Sequence, residues 1–214
     1  MENINYQQKL DSILDNIEKE GTRPGLLMHA CCAPCSSYVL EYLSRYFDIT
    51  VFYYNPNISP EEEYHKRVEE IDRFIHLVHN GTVKLKCGDY DPKAFYDAVR
   101  GMEDQKEGEE RCYHCYELRL HATAKLAREQ KFDYFTTTLS ISPYKNAHWL
   151  NEIGVRLGEE YQVPYLISDF KKKNGYKRSI ELSAEYGLYR QDYCGCIYSK
   201  KQREREKAEK GLVI

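Results

Sequence analysis

The hydrophobic positions of the chain follow two alternating spacings. Short apolar and β-branched runs predict five strands, which begin at Leu26, Ile49, Val83, Phe132 and Pro164 and end near His29, Tyr54, Lys86, Leu139 and Ile167. Between them, helical spacing predicts helices at about 4–20, 36–46, 59–79, 91–99, 112–127, 147–161 and 179–186, and a highly charged helix follows at 199–211. This alternation predicts an α/β fold, an open and mainly parallel sheet with helices on both faces.

The length of the chain fits one domain. We expect residues 1–214 to form a single α/β domain, with the N-terminal helix 4–20 and the charged helix 199–211 as appendages. No apolar run approaches the roughly 18 residues that a membrane span needs, and residues 1–20 are too charged for a signal peptide. The sequence therefore predicts a cytoplasmic protein without a membrane partner. Its net charge of -3 argues against a broadly basic nucleic-acid binder but leaves a local basic patch open.

Three cysteines stand where the first strand passes into a helix, in the segment His29-Ala-Cys-Cys-Ala-Pro-Cys35. In open α/β sheets this turn lies at the carboxyl end of the strands, where ligands bind. A phosphate-binding protein would carry glycines here. Because the chain has eight cysteines and a predicted reducing environment, we interpret the turn as part of a metal or redox centre.

A second pair of thiols, Cys112 and Cys115, opens a later helix. Residues three apart share a helix face, so both sulfurs reach one metal, and the helix N-terminus favours the ligating thiolate. The side chains of the adjacent residues Cys31 and Cys32 can converge only where the backbone leaves strand geometry, and two sulfurs placed in this way suit a large metal group. The two pairs therefore favour a four-iron cluster over one zinc ion held by four cysteines, and both alternatives stay open.

The remaining candidates lie near these pairs or near the C-terminus. We expect the ends of strands one, three and four to face one crevice, which would bring Cys87, Asp89 and Thr136–Thr138 to the turn. Cys35 is either a buried apolar residue or a ligand to a second metal, with Asp89 as its oxygen partner. His29 is interpreted as a core histidine with satisfied hydrogen bonds.

The Cys194-Gly-Cys196 segment is a different kind of pair. A disulfide between its thiols would close a small ring that glycine tolerates best, and strained disulfides are the labile, catalytic ones. A dithiol and a cluster in one chain indicate reductive chemistry. The alternative is a peripheral metal pair or two inert thiols.

The combination of motifs resembles the QueH-type epoxyqueuosine reductases. The motifs are His29-Ala-Cys-Cys-Ala-Pro-Cys35, Tyr54-Asn-Pro-Asn-Ile58 with Glu63, Tyr64 and Arg67, Arg111-Cys-Tyr-His-Cys-Tyr116 with Arg119 and Leu120, Thr136–Leu139, Ser142-Pro-Tyr-Lys145, Phe170-Lys-Lys172 and Tyr189-Arg-Gln-Asp-Tyr-Cys-Gly-Cys196. They extend over nearly the whole predicted domain. Each motif alone is unspecific, whereas the set is highly specific.

The resemblance implies removal of the epoxide oxygen from epoxyqueuosine in tRNA to give queuosine, the last step of this modification. It also implies a [4Fe-4S] cluster on Cys31, Cys32, Cys112 and Cys115, an adjacent iron or other divalent metal, and a redox-active disulfide between Cys194 and Cys196. An external electron donor would restore the dithiol. The sheet further resembles that of the ATP-pyrophosphatases, with the cysteine turn in place of their phosphate loop.

Contacts with tRNA are assigned to one basic segment and to tyrosines. Lys171, Lys172, Lys173, Lys177 and Arg178 are candidates for phosphate binding, and the alternative is a solvated loop. One of Tyr113, Tyr144 or Tyr193 is expected to stack on the modified base.

Two other functions remain open on the sequence. An ATP-dependent tRNA-modifying enzyme on the same sheet would need a glycine-rich Ser-Gly-Gly-x-Asp-Ser loop, which the sequence lacks. A zinc-stapled RNA-binding module without catalysis would be colourless and would not need the Cys194-Gly-Cys196 pair.

Overall fold

The computed structural model describes residues 4–211. Within that range the strands are β1 (Gly25–His29), β2 (Asp48–Tyr53), β3 (Lys84–Cys87) and β4 (Tyr134–Thr137). The helices are α1 (Tyr6–Glu20), α2 (Ala33–Leu43), α3 (Glu61–His79), α4 (Pro92–Ala98), α5 (Glu110–Glu129), α6 (Ala147–Tyr161), α7 (Gly175–Glu185) and α8 (Ile197–Glu209), with a 3₁₀ turn at Thr138–Ile141.

The strands form one parallel sheet in the order β3-β2-β1-β4. β1 lies inside the sheet, and its Leu27 is in register with Thr50 of β2 and Phe135 of β4. Parallel neighbours require crossover connections, and helices provide them here. The predicted fold class is confirmed.

Successive residues of β1 point to opposite faces of the sheet, as strand geometry requires. Leu26 and Met28 pack in a hydrophobic cluster with residues of α1, α2 and α3. Leu27 packs in a second cluster with residues of α5 and α6. Both faces are therefore covered by helices, which explains why the strand is apolar without alternation.

The N-terminal helix is not an appendage, contrary to the expectation for residues 4–20. Leu10, Leu14 and Ile17 of α1 are almost completely buried in the first cluster. Their spacing of three and four residues gives the helix one apolar side, which the core covers.

The C-terminal helix buries little of its own surface, since Ser199 is the buried residue of α8. That residues 1–214 form one domain stays a prediction, and residues 1–3 and 212–214 lie outside the described range. Between residues 4 and 211, none of the helices combines the length and apolar character that crossing a bilayer would demand.

The predicted fifth strand is wrong. Tyr165 forms a single isolated bridge with Phe135 of β4. In this bridge the Leu166 N–H donates to the Phe135 carbonyl, and the Phe135 N–H donates to the Pro164 carbonyl. Proline has no N–H to donate, and the chain leaves the sheet after one bridge.

The cysteine turn is shorter than the sequence predicts, because α2 begins at Ala33 and Cys35 therefore lies in its first turn.

Candidate metal and redox centre

The turn after β1 brings three sulfurs together. Cys32 has an extended backbone, with φ -170° and ψ 161°, and Pro34 occupies the first turn of α2 behind it. The chain turns from β1 into α2 at these residues, and the Cys31 and Cys32 sulfurs are 3.8 Å apart. The Cys35 sulfur joins them, and all three lie within 4.8 Å of one another. The turn thus forms a compact set of soft ligands.

The pKa values of the three thiols are shifted in different directions. Hydrogen bonds from Cys32 and Cys35 lower the pKa of Cys31. The same contact raises the pKa of Cys32 to about 12, and the pKa of Cys35 is raised by its bonds to Cys31 and Cys32. One thiolate is therefore stabilised by two S–H donors. A metal that takes more than one sulfur has to displace the remaining protons.

Cys112 and Cys115 lie in the first two turns of α5, and both residues are buried. The Gly108 N–H donates to the Cys112 sulfur at 3.3 Å. Burial raises the pKa of the Cys112 thiol and raises that of Cys115 to about 11. Both thiols therefore lie where water does little to stabilise the thiolate, and a bound metal would supply that stabilisation.

The Cys194-Gly-Cys196 loop lies directly before α8, and both of its thiols are free. Gly195 has φ +119°, and a Cβ there would stand 3.0 Å from Nη1 of Arg67. The Gly195 carbonyl accepts from the Ser59 N–H at 2.9 Å. At the other end, the Ser199 N–H donates to the Cys196 sulfur at 3.4 Å. The loop is thus held in a conformation that glycine permits.

One cavity of about 470 Å³ joins these segments. Its wall includes Cys31, Cys32, Cys35 and Cys194. A small adjoining pocket is lined by Cys112, Cys115, Cys194 and Cys196. Glu107 and Arg119 border both spaces, as Cys194 does. The structure therefore gathers cysteines from three distant segments around two adjoining spaces, and we call the larger of the two the thiol cavity.

Buried arginines accompany the thiols, and the sequence interpretation gave them no role. Arg67 and Arg119 are 2% and 1% exposed, and both line the thiol cavity. Arg119 donates from Nε to the Cys115 carbonyl at 3.0 Å, and Arg67 donates from Nη1 to the Cys194 carbonyl at 3.3 Å. Within residues 4–211, the Nη2 atom of each lacks a hydrogen-bond partner. A buried guanidinium with a free donor indicates a site for an anion.

A sequence signal for these arginines exists. Arg119 lies four residues after Cys115, on the same side of α5, and Arg67 lies four residues after Glu63, its ion-pair partner at 2.7 Å. Charged residues in such positions are normally assigned to the solvent, so the signal is easily passed over.

The structure does not bring Asp89 to the cysteine turn. β3 is an edge strand separated from β1 by β2, and Asp89 is exposed beyond its end. Among the described residues, only Cys31 and Cys32 join Cys35 in a group of potential metal ligands. The expected crevice of strands one, three and four is therefore wrong for strand three, which also leaves Cys87 exposed.

Strand four does adjoin the turn, through a buried histidine. Nδ1 of His29 forms a hydrogen bond with the Thr137 hydroxyl at 2.8 Å, and Nε2 forms one with the Tyr54 carbonyl at 3.1 Å. Burial lowers the pKa of His29 to about 4, so the ring is neutral at ordinary pH. Its interpretation as a satisfied core histidine is confirmed.

The basic segment 171–178 is largely paired within the chain. Lys171 bonds Asp169 at 2.6 Å, Lys173 bonds Asp11 at 2.7 Å, and Arg178 bonds Glu41 at 2.7 Å. Lys177 lies 4.0 Å from Glu181, and Lys172 is exposed. The cavity wall carries a further set of cations, which consists of Arg190, Arg203, Lys207 and Lys210.

A parallel α/β sheet with clustered cysteines at the carboxyl end of its strands defines a protein built around a metal or redox centre. Sequence comparison makes the class specific, since the model of the family described as epoxyqueuosine reductase QueH matches residues 26–202. The chain belongs to this family.

Individual relatives agree over most of their length. The Streptococcus pyogenes serotype M1 protein named epoxyqueuosine reductase QueH is 45% identical over 203 residues, which cover 94% of this chain and 80% of the relative. The Thermotoga maritima protein of the same name is 36% identical over 187 residues, which cover 86% and 94%. The relatives are thus named as reductases, a class of oxidoreductase.

Two solved structures are similar at lower levels. The U34-tRNA thiolase NcsA from Methanococcus maripaludis, solved with its [4Fe-4S] cluster, has a TM-score of 0.47 and 14% identity, over 96% of this chain and 75% of that one. A predicted subunit of tRNA methyltransferase from Methanocaldococcus jannaschii has a TM-score of 0.46 and 12% identity, over 75% of both chains. TM-scores below 0.5 do not establish a shared fold.

Proposed function

We propose that the protein is an epoxyqueuosine reductase that removes the epoxide oxygen from epoxyqueuosine in tRNA and leaves queuosine. The observation that supports this most directly is the meeting of cysteines from three segments around the thiol cavity and the pocket that adjoins it. Family membership supplies the reaction. The cavity supplies thiols, buried cations and room for a modified base.

The residues fit a [4Fe-4S] cluster held by Cys31, Cys32, Cys112 and Cys115. The first two sulfurs converge at the end of β1, the other two cysteines lie in the first two turns of α5, and a four-iron cluster would take one thiolate from each. Such a cluster with four thiolates is anionic, which would engage the free Nη2 donor of Arg119. When bound, the cluster supplies electrons one at a time.

An adjacent iron or other divalent metal would take Cys35. This thiol is left over once Cys31 and Cys32 serve the cluster, and its sulfur lies within 4.8 Å of both. No carboxylate among residues 4–211 joins this group, so the remaining coordination positions would go to water or substrate. Cys35 therefore fits an open site better than a closed structural one.

The Cys194 and Cys196 thiols match the electron count of the reaction. Conversion of an epoxide to an alkene and water consumes two electrons and two protons. Oxidation of two thiols to one disulfide releases the same number of each. An external electron donor then reduces the disulfide. We assign the pair this role because Cys194 lines the thiol cavity and Cys196 lines the adjoining pocket.

The cavity wall also offers surfaces for the modified nucleoside. Tyr144 lines the cavity and is 65% exposed, and Tyr193 lines it beside Cys194. Tyr113 bonds Glu152 at 3.1 Å and packs edge-on against Trp149, away from the cavity wall. We therefore propose Tyr144 and Tyr193 for stacking on the base, which has to leave the anticodon stack to enter.

The first test is the metal and sulfide content of protein purified without oxygen. We expect about four or five irons and about four sulfides per chain, with a brown absorbance near roughly 400 nm that bleaches with dithionite. Incubation of this protein with epoxyqueuosine tRNA and reductant should then yield queuosine tRNA, measured by mass spectrometry of the released nucleosides.

The alternatives give different results in the same preparation. One zinc per chain, without sulfide or colour, would support the zinc-stapled binding module. A cluster-loaded protein that requires ATP for a change in tRNA mass would support the ATP-dependent enzyme. Neither result is compatible with the proposed reaction.

A charge reversal at the cavity wall should weaken tRNA binding. Lys210 is exposed on this wall and forms no ion pair among residues 4–211. If its ammonium binds a phosphate, Lys210→Glu weakens affinity by about tenfold at low salt and lowers the salt-dependence slope by about one. Filter binding over a salt series measures both quantities.

The matched control is Lys125→Glu, because Lys125 is exposed on α5 and does not border the cavity. It should change affinity by less than about twofold, through net charge alone. Equal weakening by both substitutions would assign tRNA binding to diffuse charge and remove Lys210 from the interface. The same assay on Lys172→Glu tests the proposed contact of segment 171–178.

A further inference from the structure

A buried lysine in the thiol cavity has a donor capacity that its protein contacts do not use. The Lys145 side chain is 6% exposed and forms an ion pair with Glu107 at 2.5 Å. That carboxylate is the only hydrogen-bond partner of Nζ within residues 4–211. An ammonium has three N–H donors, so two remain for a group that enters the cavity. Lys145 and Glu107 both line its wall.

A chain of contacts fixes this ammonium relative to the redox pair. The other oxygen of Glu107 accepts from the Ser199 hydroxyl at 2.9 Å. The same hydroxyl accepts from the backbone N–H of Cys194 at 3.0 Å. Lys145 precedes α6, Glu107 precedes α5, and Ser199 belongs to α8. Three separate segments therefore converge to hold one charge beside Cys194.

Stability alone does not explain the pair. Burial of two opposite charges usually contributes little net stability, and an apolar replacement of both partners is often neutral or stabilising. The ammonium lies in a partly closed space with Cys31, Cys32, Cys35 and Cys194 in the same wall. A fixed positive charge in such a space acts strongly on negative charge that develops nearby.

We propose that Lys145 is a catalytic residue that donates a hydrogen bond to the epoxide oxygen of the substrate. The proposal rests on the proposed function. As the first C–O bond breaks, the electron pair moves onto oxygen, and the ammonium stabilises that charge while it remains protonated. The Cys194 and Cys196 thiols supply two electrons to the carbon that this bond has left and become a disulfide. The second C–O bond then breaks toward oxygen, the alkene forms, and the oxygen takes up the two thiol protons and leaves as water. Glu107 is a positioning residue that holds Nζ in place.

The test compares two variants that differ at Lys145 alone. In Lys145→Met with Glu107→Gln, both members of the ion pair become neutral, so no unpaired charge stays buried. The matched control is Glu107→Gln alone, which keeps the ammonium and an amide oxygen to accept from it. Iron content and the absorbance near 400 nm should be the same in both variants and in the unmodified protein.

The decisive readout is binding without reductant, measured with epoxyqueuosine tRNA and with the same tRNA carrying queuosine. These ligands differ by the epoxide oxygen. We expect the unmodified protein and Glu107→Gln to bind the epoxide form about tenfold more tightly, the size of one charged hydrogen bond. The double variant should bind both forms equally. Its turnover should fall about 10²- to 10³-fold below that of Glu107→Gln, as on loss of an oxyanion-stabilising donor.

Each outcome decides the proposal. A double variant that keeps the preference for the epoxide form would overturn it, as would an unmodified protein without any preference. If the double variant loses iron, Lys145→Gln, which keeps a neutral donor of shorter reach, takes its place, and an unchanged preference there overturns the proposal equally. Failure of the proposed function is distinct, because the unmodified, iron-loaded protein would then convert no epoxyqueuosine tRNA.

Discussion

The double substitution of Cys194 and Cys196 by serine is expected to abolish turnover and to leave the iron content and visible absorbance unchanged. The electrons for one turnover come from this pair in the proposed reaction, and neither sulfur is assigned to the cluster. Loss of a group that acts chemically rather than by binding lowers kcat by about 10³-fold or more. The measurement is the yield of queuosine tRNA with saturating reductant, alongside iron analysis.

The control for this experiment is Cys87→Ser. Cys87 is an exposed thiol at the end of the edge strand β3 and borders neither space of the centre. Its replacement should leave turnover unchanged, which separates the effect of the pair from a general loss of thiols. Normal turnover in the Cys194 and Cys196 double variant would show that electrons reach the substrate by another route.

The surroundings of the pair explain why its geometry needs the whole fold. Arg67 of α3 bonds the Cys194 carbonyl, and Ser59 bonds the Gly195 carbonyl. Ser199 then bonds the Cys194 N–H from α8. The loop is thus held by two helices and a connecting segment that lie far apart in the sequence.

The elements that local sequence controls were predicted well. The apolar run before Cys31 and the helical spacing after Cys35 gave the strand, the turn and the helix, because each depends on neighbours within one or two turns. The pairing of Cys112 with Cys115 followed for the same reason. The convergence of the Cys31 and Cys32 sulfurs was expected from a departure from strand geometry, whereas Cys32 keeps an extended backbone up to the start of α2.

The lateral order of the strands was not accessible in this way. The sequence at the end of each strand indicates that the strands end at the same edge of the sheet, but it does not indicate which strands are neighbours. Asp89 was therefore placed near Cys35, whereas β2 separates β3 from β1. The order depends on packing of whole helices against both faces, which is a property of the complete chain.

Buried charge was the other source of error. Arg119 and Lys145 belong to motifs that carry the family resemblance, but charged residues are ordinarily assigned to the surface. Conversely, the lysines and arginine of segment 171–178 look available, yet Lys173 and Arg178 pair with Asp11 and Glu41. These partners are more than one hundred residues away in the sequence, so no local pattern reveals them.

The second large effect is expected at Arg119. Its guanidinium bonds the Cys115 carbonyl and Oδ1 of Asn55 at 3.5 Å, and Asn55 donates to the Ala30 carbonyl at 2.8 Å. Arg119 therefore connects the start of α5 to the end of β1, between the two pairs of proposed cluster ligands. Its positive charge lowers the pKa of Cys31, after the bonds from Cys32 and Cys35, and opposes the rise in the pKa of Cys115 that burial causes.

Arg119→Met should therefore reduce bound iron from about four per chain to less than about one, because thiolates and an anionic cluster lose their buried countercharge. The fold should survive, since methionine fills much of the same volume. In the metal-free protein the same substitution is not expected to be harmful. There the guanidinium has a buried donor without a partner, so its removal leaves the free energy of unfolding unchanged or raises it by about 1–4 kcal/mol.

Two measurements on the same variant thus separate a role in cluster binding from a role in packing. Chemical denaturation of metal-free protein reports packing, and iron analysis after reconstitution reports binding. Arg119→Lys keeps a charge without the planar set of donors and should retain part of the iron. Arg156→Met, at an exposed arginine of α6, should change neither quantity. Full iron content in Arg119→Met would contradict the assignment, and a loss of stability in its metal-free form would make Arg119 a structural residue.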